Sequence, residues 1–527
     1  MESANRLKKI RKEQWCVIII MFLAMASRAA GLGSFPGGVN VDEAYAGYEA
    51  WAMAHYGMDS WGFQHPVYLT VWGSGMSVLN SVLMMPFVRF FGLNTVTIRL
   101  PQMIVGILSV YVFYLLLKKI TNRDTALWGM FLFAICPWHI MMSRWGLDCN
   151  LAPGFLLFAV WFFVKGLEKD KYLMLSALSW GLSLYCYATV WILVPVLLLV
   201  WGIYCLRHKK IAFSKSLLTA CVILILLALP LLLFVAVNMG WIPEIRSRLL
   251  SVPRLVDFRS DELGKRNLLN HIKALFGLFI RQDDGLLWNT TPYFGMYYLF
   301  SLPFILCGFI LYVRAAWEHF RKKEFGYEFL ILVWIFVSAV TGILQGINAN
   351  KINYIHIPVI ILWTEGVSFL CAKGKRYFGK AVFAVYALSF LCFEGYYFTE
   401  YQEEISRRQQ AGADQAVEAA LSLREERKAE TIVVPNTLRH SQILFYTEWS
   451  LKDYMESVQW QEYPARWLKT ESFGCFEWIR EEETENFEPE RDKIYLVTEE
   501  ELGRFEKEGW CVEMYGYAGV AYSIDGK

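Results

Sequence analysis

The stretch Val39-Asn40-Val41-Asp42-Glu43-Ala44-Tyr45 stands just beyond an apolar run, Trp15–Gly33, which a basic segment from Arg6 to Lys12 introduces. An apolar run of that length with Lys and Arg on its leading flank reads as a membrane span that starts in the cytoplasm. No A-x-A cleavage site follows and the run carries Arg28, so it reads as an uncleaved span and not as a signal peptide. Two adjacent carboxylates are thereby set at the outer edge of a bilayer. Later apolar segments return past the same surface and can bring distant groups to them.

The whole chain agrees with that start. It has 527 residues, 56% of them hydrophobic and 16% aromatic, and a mean hydropathy of +0.32. A soluble chain of this length would be more polar. Runs of roughly 20 apolar residues recur, at Ile98–Ile120, Thr125–Trp145, Leu151–Gly166, Tyr172–Val190, Trp191–Leu206, Leu217–Val237, Tyr293–Val313, Tyr327–Leu344, Ile352–Cys371 and Tyr377–Phe398. With the first run they predict an α-helical polytopic membrane protein of about eleven spans. The basic clusters Arg6–Lys12, Lys118-Lys119-Arg123, Lys165–Lys171, Arg207–Lys210, Arg321-Lys322-Lys323 and Lys373–Arg376 then all fall on one side, the cytoplasmic one. Val78–Phe91 is short and holds Pro86 and Arg89. Counting it as a span would scatter the basic turns over both sides. It reads instead as an interfacial helix within one outer loop, about residues 34–97.

Composition changes after Phe398, which divides the chain into a membrane domain, residues 1–398, and an extracytoplasmic domain, residues 399–527. A charged helical stretch, Glu400–Arg427, precedes strand-like runs at Thr431–Pro435, Lys493–Thr498 and Val520–Ile524, the pattern of a small α/β domain. Basic residues form short turns and no broad face, so nucleic acid is not an expected partner. The 11 cysteines show no metal-ligand spacing. Cys475 and Cys511, both in the tail, are candidates for a pair if that tail lies outside.

Chemistry-bearing groups gather in the segments assigned to the outside. Asp42 and Glu43 are followed by the rings of Tyr45, Tyr48, Trp51 and Tyr56, which suit sugar faces or an interfacial belt. His65-Pro66 lies later in the loop; Pro66 favours an extended His65, whose imidazole could hold phosphate or metal or shuttle a proton. Arg144 and Asp148 are four apart, a spacing for an ion pair or, with Asp148 facing Asp42, for a second acid toward acceptor or cation. Lys351 and His356 open a span from outside, where a cation suits a phosphate leaving group. Asp283-Asp284 reads as a solvated turn. There is no P-loop, HExxH, GxSxG or dinucleotide fingerprint, which disfavours nucleotide-powered chemistry.

These residues, in this order, resemble the bacterial members of glycosyltransferase family 39, relatives of protein O-mannosyltransferases and aminoarabinose transferases in the GT-C superfamily. The resemblance is carried by Asp42-Glu43, His65-Pro66, the phrase Gly92-Leu93-Asn94-Thr95-Val96-Thr97-Ile98-Arg99-Leu100-Pro101, Pro137-Trp138-His139 and Ser143-Arg144-Trp145. Trp288-Asn289 through Gly295 and Asn350–Pro358 complete it. It covers roughly the first 400 residues and not the tail. It implies a polyprenyl-phosphate sugar as donor, work at the outer membrane face, and an inverting single displacement. Asp42 would be the base, Glu43 would help position the acceptor hydroxyl, and Lys351, His356 and Arg144 would hold the donor phosphate. Asp148 and His65 remain candidates for acceptor or metal. Some GT-C members use a divalent cation and others do not, so metal use stays open. Val67 stands where a second proline is commoner, and Lys351 where many relatives place arginine, a point charge in place of a fork. The competing classes are a lipid-linked sugar transporter or flippase and a polysaccharide polymerase or ligase. A flippase would need ionisable groups midway through spans, or broken helices in paired halves; most of the acids instead gather outside, though Glu365 and Glu394 fall within candidate spans.

Overall fold

The structure is a computed structural model. It describes residues 2–258, 268–375, 377–482 and 487–524, with the backbone alone for residues 2–10. Arg6, Lys8 and Lys9 of the basic start, Arg376 of the Lys373–Arg376 cluster and residues 259–267 of the second long loop therefore lie outside the described side chains. By their internal contacts the described residues form two compact units. The first comprises residues 1–30, 102–230 and 260–398; the second comprises residues 31–101, 231–259 and 399–527.

Among the described residues eight helices are long and apolar enough to cross a membrane: Thr95–Ile120, Asp148–Gly166, Val190–Arg207, Lys215–Asn238, Leu299–Lys322, Tyr327–Gln345, Asn353–Lys373 and Phe378–Tyr397. The other expected spans are helical but fall short. Glu2–Ala29 keeps Lys12, Glu13 and Arg28 in its apolar half. Thr125–Trp145 is two helices, Arg123–Ala134 and Pro137–Met142, because Pro137 starts a new helix at its first position. Tyr172–Val190 ends as a helix at Ser183 and continues in turns. The span expected at Tyr293–Val313 starts later, at Leu299: residues 293–298 turn, with Gly295 at φ 66° and Tyr298 at φ 64°.

Within the first unit, the helices Leu302–Lys322 and His356–Lys373 approach closely through a reciprocal pair of glycines. A Cβ on Gly308 would stand 1.8 Å from the Leu362 carbonyl oxygen, and one on Gly366 would stand 1.9 Å from that of Phe304. Small residues at the crossing let the two backbones pack directly, as apolar surroundings favour. The helix Lys215–Asn238 instead presents Leu218, Ile225, Leu226 and Leu232 outward, a surface that lipid covers. The loop expected at residues 238–292 contains a helix the sequence reading passed over, Leu268–Arg281, whose Leu269, Ile272, Phe276 and Ile280 are exposed along one stripe.

The second unit contains the loop and the tail. Its helix Leu79–Phe91 has 13 residues, about 20 Å of helix against about 30 Å of hydrocarbon, so it does not span. A small ribbon pairs β1, Tyr68–Leu69, with β2, Met76–Ser77. The tail carries a seven-stranded mixed sheet built from β3 (Ile432–Val434), β4 (Gln459–Trp460), β5 (Thr470–Phe473), β6 (Phe476–Trp478), β7 (Ile494–Thr498), β8 (Trp510–Met514) and β9 (Ala518–Ser523). The order across the sheet is β4-β5-β6-β3-β7-β9-β8. The charged helical stretch is two helices, Glu400–Arg408 and Ala413–Arg427, parted at Gly412. That residue lies at φ 95°, and a Cβ there would sit 1.5 Å from the Tyr515 carbonyl oxygen. All cysteines are free. Cys511 is on the edge strand β8 and Cys475 is in the β5–β6 turn across the sheet, so the pair considered from sequence does not form.

The glycine crossing gives a controlled test. Gly308→Ala should destabilise the detergent-solubilised protein by about 1–3 kcal/mol in thermal unfolding, the usual effect of overpacking. Gly202→Ala, at a helical glycine with open space where its Cβ would go, should be neutral or stabilising by up to about 1 kcal/mol.

Candidate active site

The acidic stretch opens the helix Val41–Tyr56. Asn40 caps it. Its Oδ1 accepts the Asp42 N–H at 2.9 Å, and Glu43 Oε1 accepts the Asn40 N–H at 3.2 Å. This reciprocal box satisfies N–H groups that a helix start leaves unpaired. It also puts both acids in the first turn, where the helix dipole favours negative charge.

The two acids then part company. Glu43 is closed to solvent and takes a two-pronged contact from Arg99, at 2.5 Å from Nη2 and 3.2 Å from Nε. Arg99 donates its other hydrogens to the carbonyls of Leu32 (3.3 Å), Pro36 (2.8 Å) and Gly38 (2.9 Å). The guanidinium therefore fastens the 32–38 segment to the first turn of the helix. Glu43 holds the backbone that carries Asp42.

Asp42 remains partly exposed. Its Oδ1 accepts the Trp72 Nε1–H at 3.1 Å, and it borders a cavity of about 390 Å³. Trp72 sits at φ 55°, a left-handed conformation unusual for a bulky residue. Hydrogen bonds on both sides maintain it: Trp72 O accepts the Leu468 N–H at 3.1 Å, and Gly73 O accepts the Asp257 N–H at 3.1 Å.

The opposite wall of the cavity comes from the tail. The helix His440–Thr447 docks on the acidic stretch, with the Ser441 hydroxyl donating to Val41 O and the Gln442 amide to Val39 O, each at 3.0 Å. The Tyr48 hydroxyl reaches Trp449 O at 2.7 Å. This brings Arg439, His440, Trp467 and Lys469 to the cavity with Asp42 and Trp72. The His440 ring meets Trp72 and Tyr45 edge-on, at centroid distances of 5.0 and 5.3 Å. Burial, with the Arg439 charge beside it, pushes the His440 imidazole down to about 3, so it is neutral at pH 7. Its Nε2 has no hydrogen-bond partner among the described residues.

Beneath the aromatic layer two further carboxyls are buried. Glu49 accepts the Ser60 N–H at 2.9 Å and a short bond from the Ser60 hydroxyl. Asp59 accepts the N–H groups of Trp61 (3.0 Å) and Phe63 (2.8 Å). Burial, reinforced by the Asp59 charge, pushes Glu49 up to about 8. Burial raises Asp59 too, against the opposing pull of those two N–H groups and of Arg246.

Other residues singled out in the sequence lie elsewhere. His65 is exposed, and its Nδ1 contacts Arg248 O at 3.0 Å. Its φ is 46° and not extended. The pairing of Ser251 N–H with His65 O and of Val67 N–H with Ser251 O fixes the bend against the preference Pro66 imposes. In the first unit, Arg144 donates to Ser27 O (3.0 Å) and Ala30 O (2.6 Å), where the first helix ends, and stacks on Tyr397 and Phe398. Asp148 starts a short 3₁₀ turn and accepts the Cys149 N–H at 2.7 Å. Asn353 joins that turn to the 348–356 segment, donating to Cys149 O and Asn150 Oδ1 at 3.2 Å each and accepting the Trp138 indole N–H at 3.0 Å. Lys351 is half-buried, with Nζ 3.5 Å from Gln345 O. His356 is buried with its Nδ1 on the Tyr297 hydroxyl. Asp284, read as a solvated turn, is instead a clasp: it accepts the Ala349 N–H at 2.9 Å and the Asn289 amide at 2.7 Å, and burial raises its carboxyl. Among the described residues no group of three or more His, Cys, Asp or Glu converges as a metal site would.

Comparison with known proteins follows the geometry. Residues 79–234 match the family model described as dolichyl-phosphate-mannose-protein mannosyltransferase. The fold is similar to that of ArnT from Cupriavidus metallidurans in the apo state, at 12% identity over 98% of both chains with a TM-score of 0.55. It is equally similar to ArnT bound to undecaprenyl phosphate, at 11% identity over 96% of this chain and 97% of that one, with a TM-score of 0.57. The Archaeoglobus fulgidus oligosaccharyltransferase AglB, in complex with an inhibitory peptide and a dolichol-phosphate, matches at 12% identity over 81% of this chain and 62% of that one, with a TM-score of 0.51. By sequence no curated protein matches the chain. The resemblance drawn from the sequence is borne out, and so is the fold class, a helical membrane protein with a C-terminal sheet domain.

Two predictions rest on these buried charges. Glu43→Gln or Arg99→Met alone should destabilise the protein by about 3–5 kcal/mol in chemical unfolding, and the double variant by less than the sum, since each single change strands one charge. The carboxyl of Glu49 has an ordinary value of 4.5 and is held near 8 in the fold. The folded state thus binds the extra proton, and its stabilisation is full below about pH 4.5 and is lost as pH rises through about 8. The melting temperature should fall over that window, and Glu49→Gln should flatten the slope.

Proposed function

We propose that this chain is a membrane glycosyltransferase that moves a sugar from a polyprenyl-phosphate donor to an acceptor hydroxyl. The observation that carries the reading is Asp42 itself: a carboxylate at a capped helix start, oriented by an indole N–H and backed by a buried ion pair, at the edge of a sugar-sized cavity. The family match over residues 79–234 and the ArnT-like fold support it. The ArnT structure holds undecaprenyl phosphate and the AglB complex a dolichol-phosphate, lipids of the class proposed as the donor here.

In the proposed step the acceptor oxygen attacks the anomeric carbon from the face opposite the phosphate. The new C–O bond forms as the bond to the phosphate oxygen breaks. The acceptor proton passes to Asp42, and polyprenyl phosphate leaves with the bonding pair. The configuration at carbon inverts. The donor is already activated, so no nucleotide is consumed. Glu43 acts through the backbone as a positioning residue. Lys351 is the cation proposed for the leaving phosphate, with His356 beside it in the same segment; Arg144 is committed to helix-end carbonyls and is assigned a positioning role. The cavity around Asp42 offers one carboxylate among an indole N–H, Arg439 and Lys469, a donor set that suits hydroxyls and anions and does not cradle a divalent cation. No step is routed through a metal. The proposed topology keeps the first helix starting in the cytoplasm and the sheet domain outside.

Asp42→Asn tests the assignment. With an undecaprenyl-phosphate sugar as donor, kcat should fall at least about a hundredfold while the melting temperature stays within a few degrees of wild type. Transfer at the wild-type rate would remove Asp42 from the mechanism.

A further inference from the structure

We propose that the tail domain supplies the acceptor subsite, and that this subsite selects a saccharide carrying a negatively charged substituent, a phosphate or a carboxylate. The inference rests on the reading of Asp42 as the base, since a base faces the acceptor hydroxyl. It goes further by assigning the tail a role and the acceptor a chemical class.

Three features of the cavity converge on that class. The first is a pair of indoles that still present surface. Trp72 is half-buried, and Trp467 is 48% exposed although it is large and apolar. Exposed tryptophan bordering a cavity offers a flat apolar face with a polar edge, which suits a pyranose ring. The second is hydrogen-bonding capacity that the protein leaves unused. His440 is 2% exposed, and its Nε2 has no partner among the described residues. A buried polar atom without a partner is expensive to keep, and a ligand hydroxyl would satisfy it. The ring is neutral at pH 7, so it can accept from a hydroxyl as well as donate.

The third feature is charge. Arg439 and Lys469 both border the cavity, and among the described residues one carboxylate, Glu481, serves both of them. It lies 2.7 Å from Lys469 Nζ and 3.9 Å from an Arg439 Nη2. Two cations thus share Glu481 at a partly exposed rim, and the cavity lining itself sets both of them against one carboxylate, Asp42, so an anionic substituent can compete with Glu481 for them. Lys469 ends the segment that links β4 to β5, and that segment also carries Trp467. The stacking surface and the cation therefore belong to one loop. The same loop holds Trp72 in its left-handed conformation through the Leu468 N–H, and Trp72 in turn orients Asp42. Occupancy of the subsite is coupled in this way to the placement of the base.

Ligand-observed saturation-transfer NMR on the full-length protein in nanodiscs tests this without donor or turnover. The probes are D-glucose, D-glucuronate and D-glucose 1-phosphate. The two charged sugars should bind at least about tenfold more tightly than glucose, the size of one charge-assisted contact. Lys469→Ala should weaken them by about tenfold, and Trp467→Ala should remove saturation of the ring protons. Glu481→Gln should tighten them several-fold, because it frees both cations; this gain cannot arise from misfolding. Undecaprenyl phosphate should not displace them. Equal or absent binding of the three sugars, no gain from Glu481→Gln, or displacement by undecaprenyl phosphate would each overturn the proposal. None of those results bears on whether Asp42→Asn abolishes transfer, so the two readings fail separately.

Discussion

Arg99 and Glu43 are both shut away from water, and either charge left alone there would cost several kcal/mol. Together they are nearly saturated with hydrogen bonds, because the guanidinium spends its remaining hydrogens on three carbonyls of the 32–38 segment. That one contact fixes where the helix Val41–Tyr56 begins. The capping box does the rest, turning the first two acids of the helix in different directions. Glu43 goes inward to the arginine, and Asp42 stays at the surface with the indole of Trp72. The proposed base needs a rigid mount and an open face, and here adjacent residues divide those tasks.

The second unit extends this logic outward from Asp42. Its aromatic layer of Tyr45, Trp72 and His440 joins residues from the first loop and from the tail. The tail is therefore structural to the site and not an appendage. Its helix His440–Thr447 bonds the very backbone that carries the acids. A left-handed tryptophan, a buried neutral histidine and a pair of buried carboxyls lie within a few residues of Asp42, or pack against those that do. Strain and desolvation of this kind cluster where function requires a fixed arrangement.

Much of this was open to sequence reading, and the limits follow from what sequence encodes. The membrane class came from long apolar runs, the strongest signal a sequence carries. Among the described residues eight of the eleven expected runs form single helices long and apolar enough to cross a membrane; the run Thr125–Trp145 is divided because Pro137 redirects the chain without changing its hydropathy. The segment Asn40-Val41-Asp42-Glu43 spells a capping box, a local signature that was there to be read and that would have separated the roles of the two acids. Arg99 belongs to a phrase that carried the family resemblance, yet its partner lies 56 residues away, and only the fold pairs them. The strands β4 and β6 have two and three residues, too few for an alternating pattern to register. The tail residues of the cavity belong to no motif. His65 shows a local rule overruled: a proline's preference yielded to two backbone hydrogen bonds, one donated by the Ser251 N–H to His65 O and one accepted by Ser251 O from the Val67 N–H.

The account stands or falls on what Asp42 faces. A cryo-EM structure with a non-hydrolysable undecaprenyl-phosphonate sugar would show it directly. The account predicts the anomeric carbon within one bridging hydroxyl of the Asp42 carboxylate, roughly 5 Å, with its phosphonate on the far side of the sugar. An anomeric carbon beyond roughly 10 Å from Asp42, with another carboxylate or a histidine within hydrogen-bond reach of the acceptor side, would contradict it.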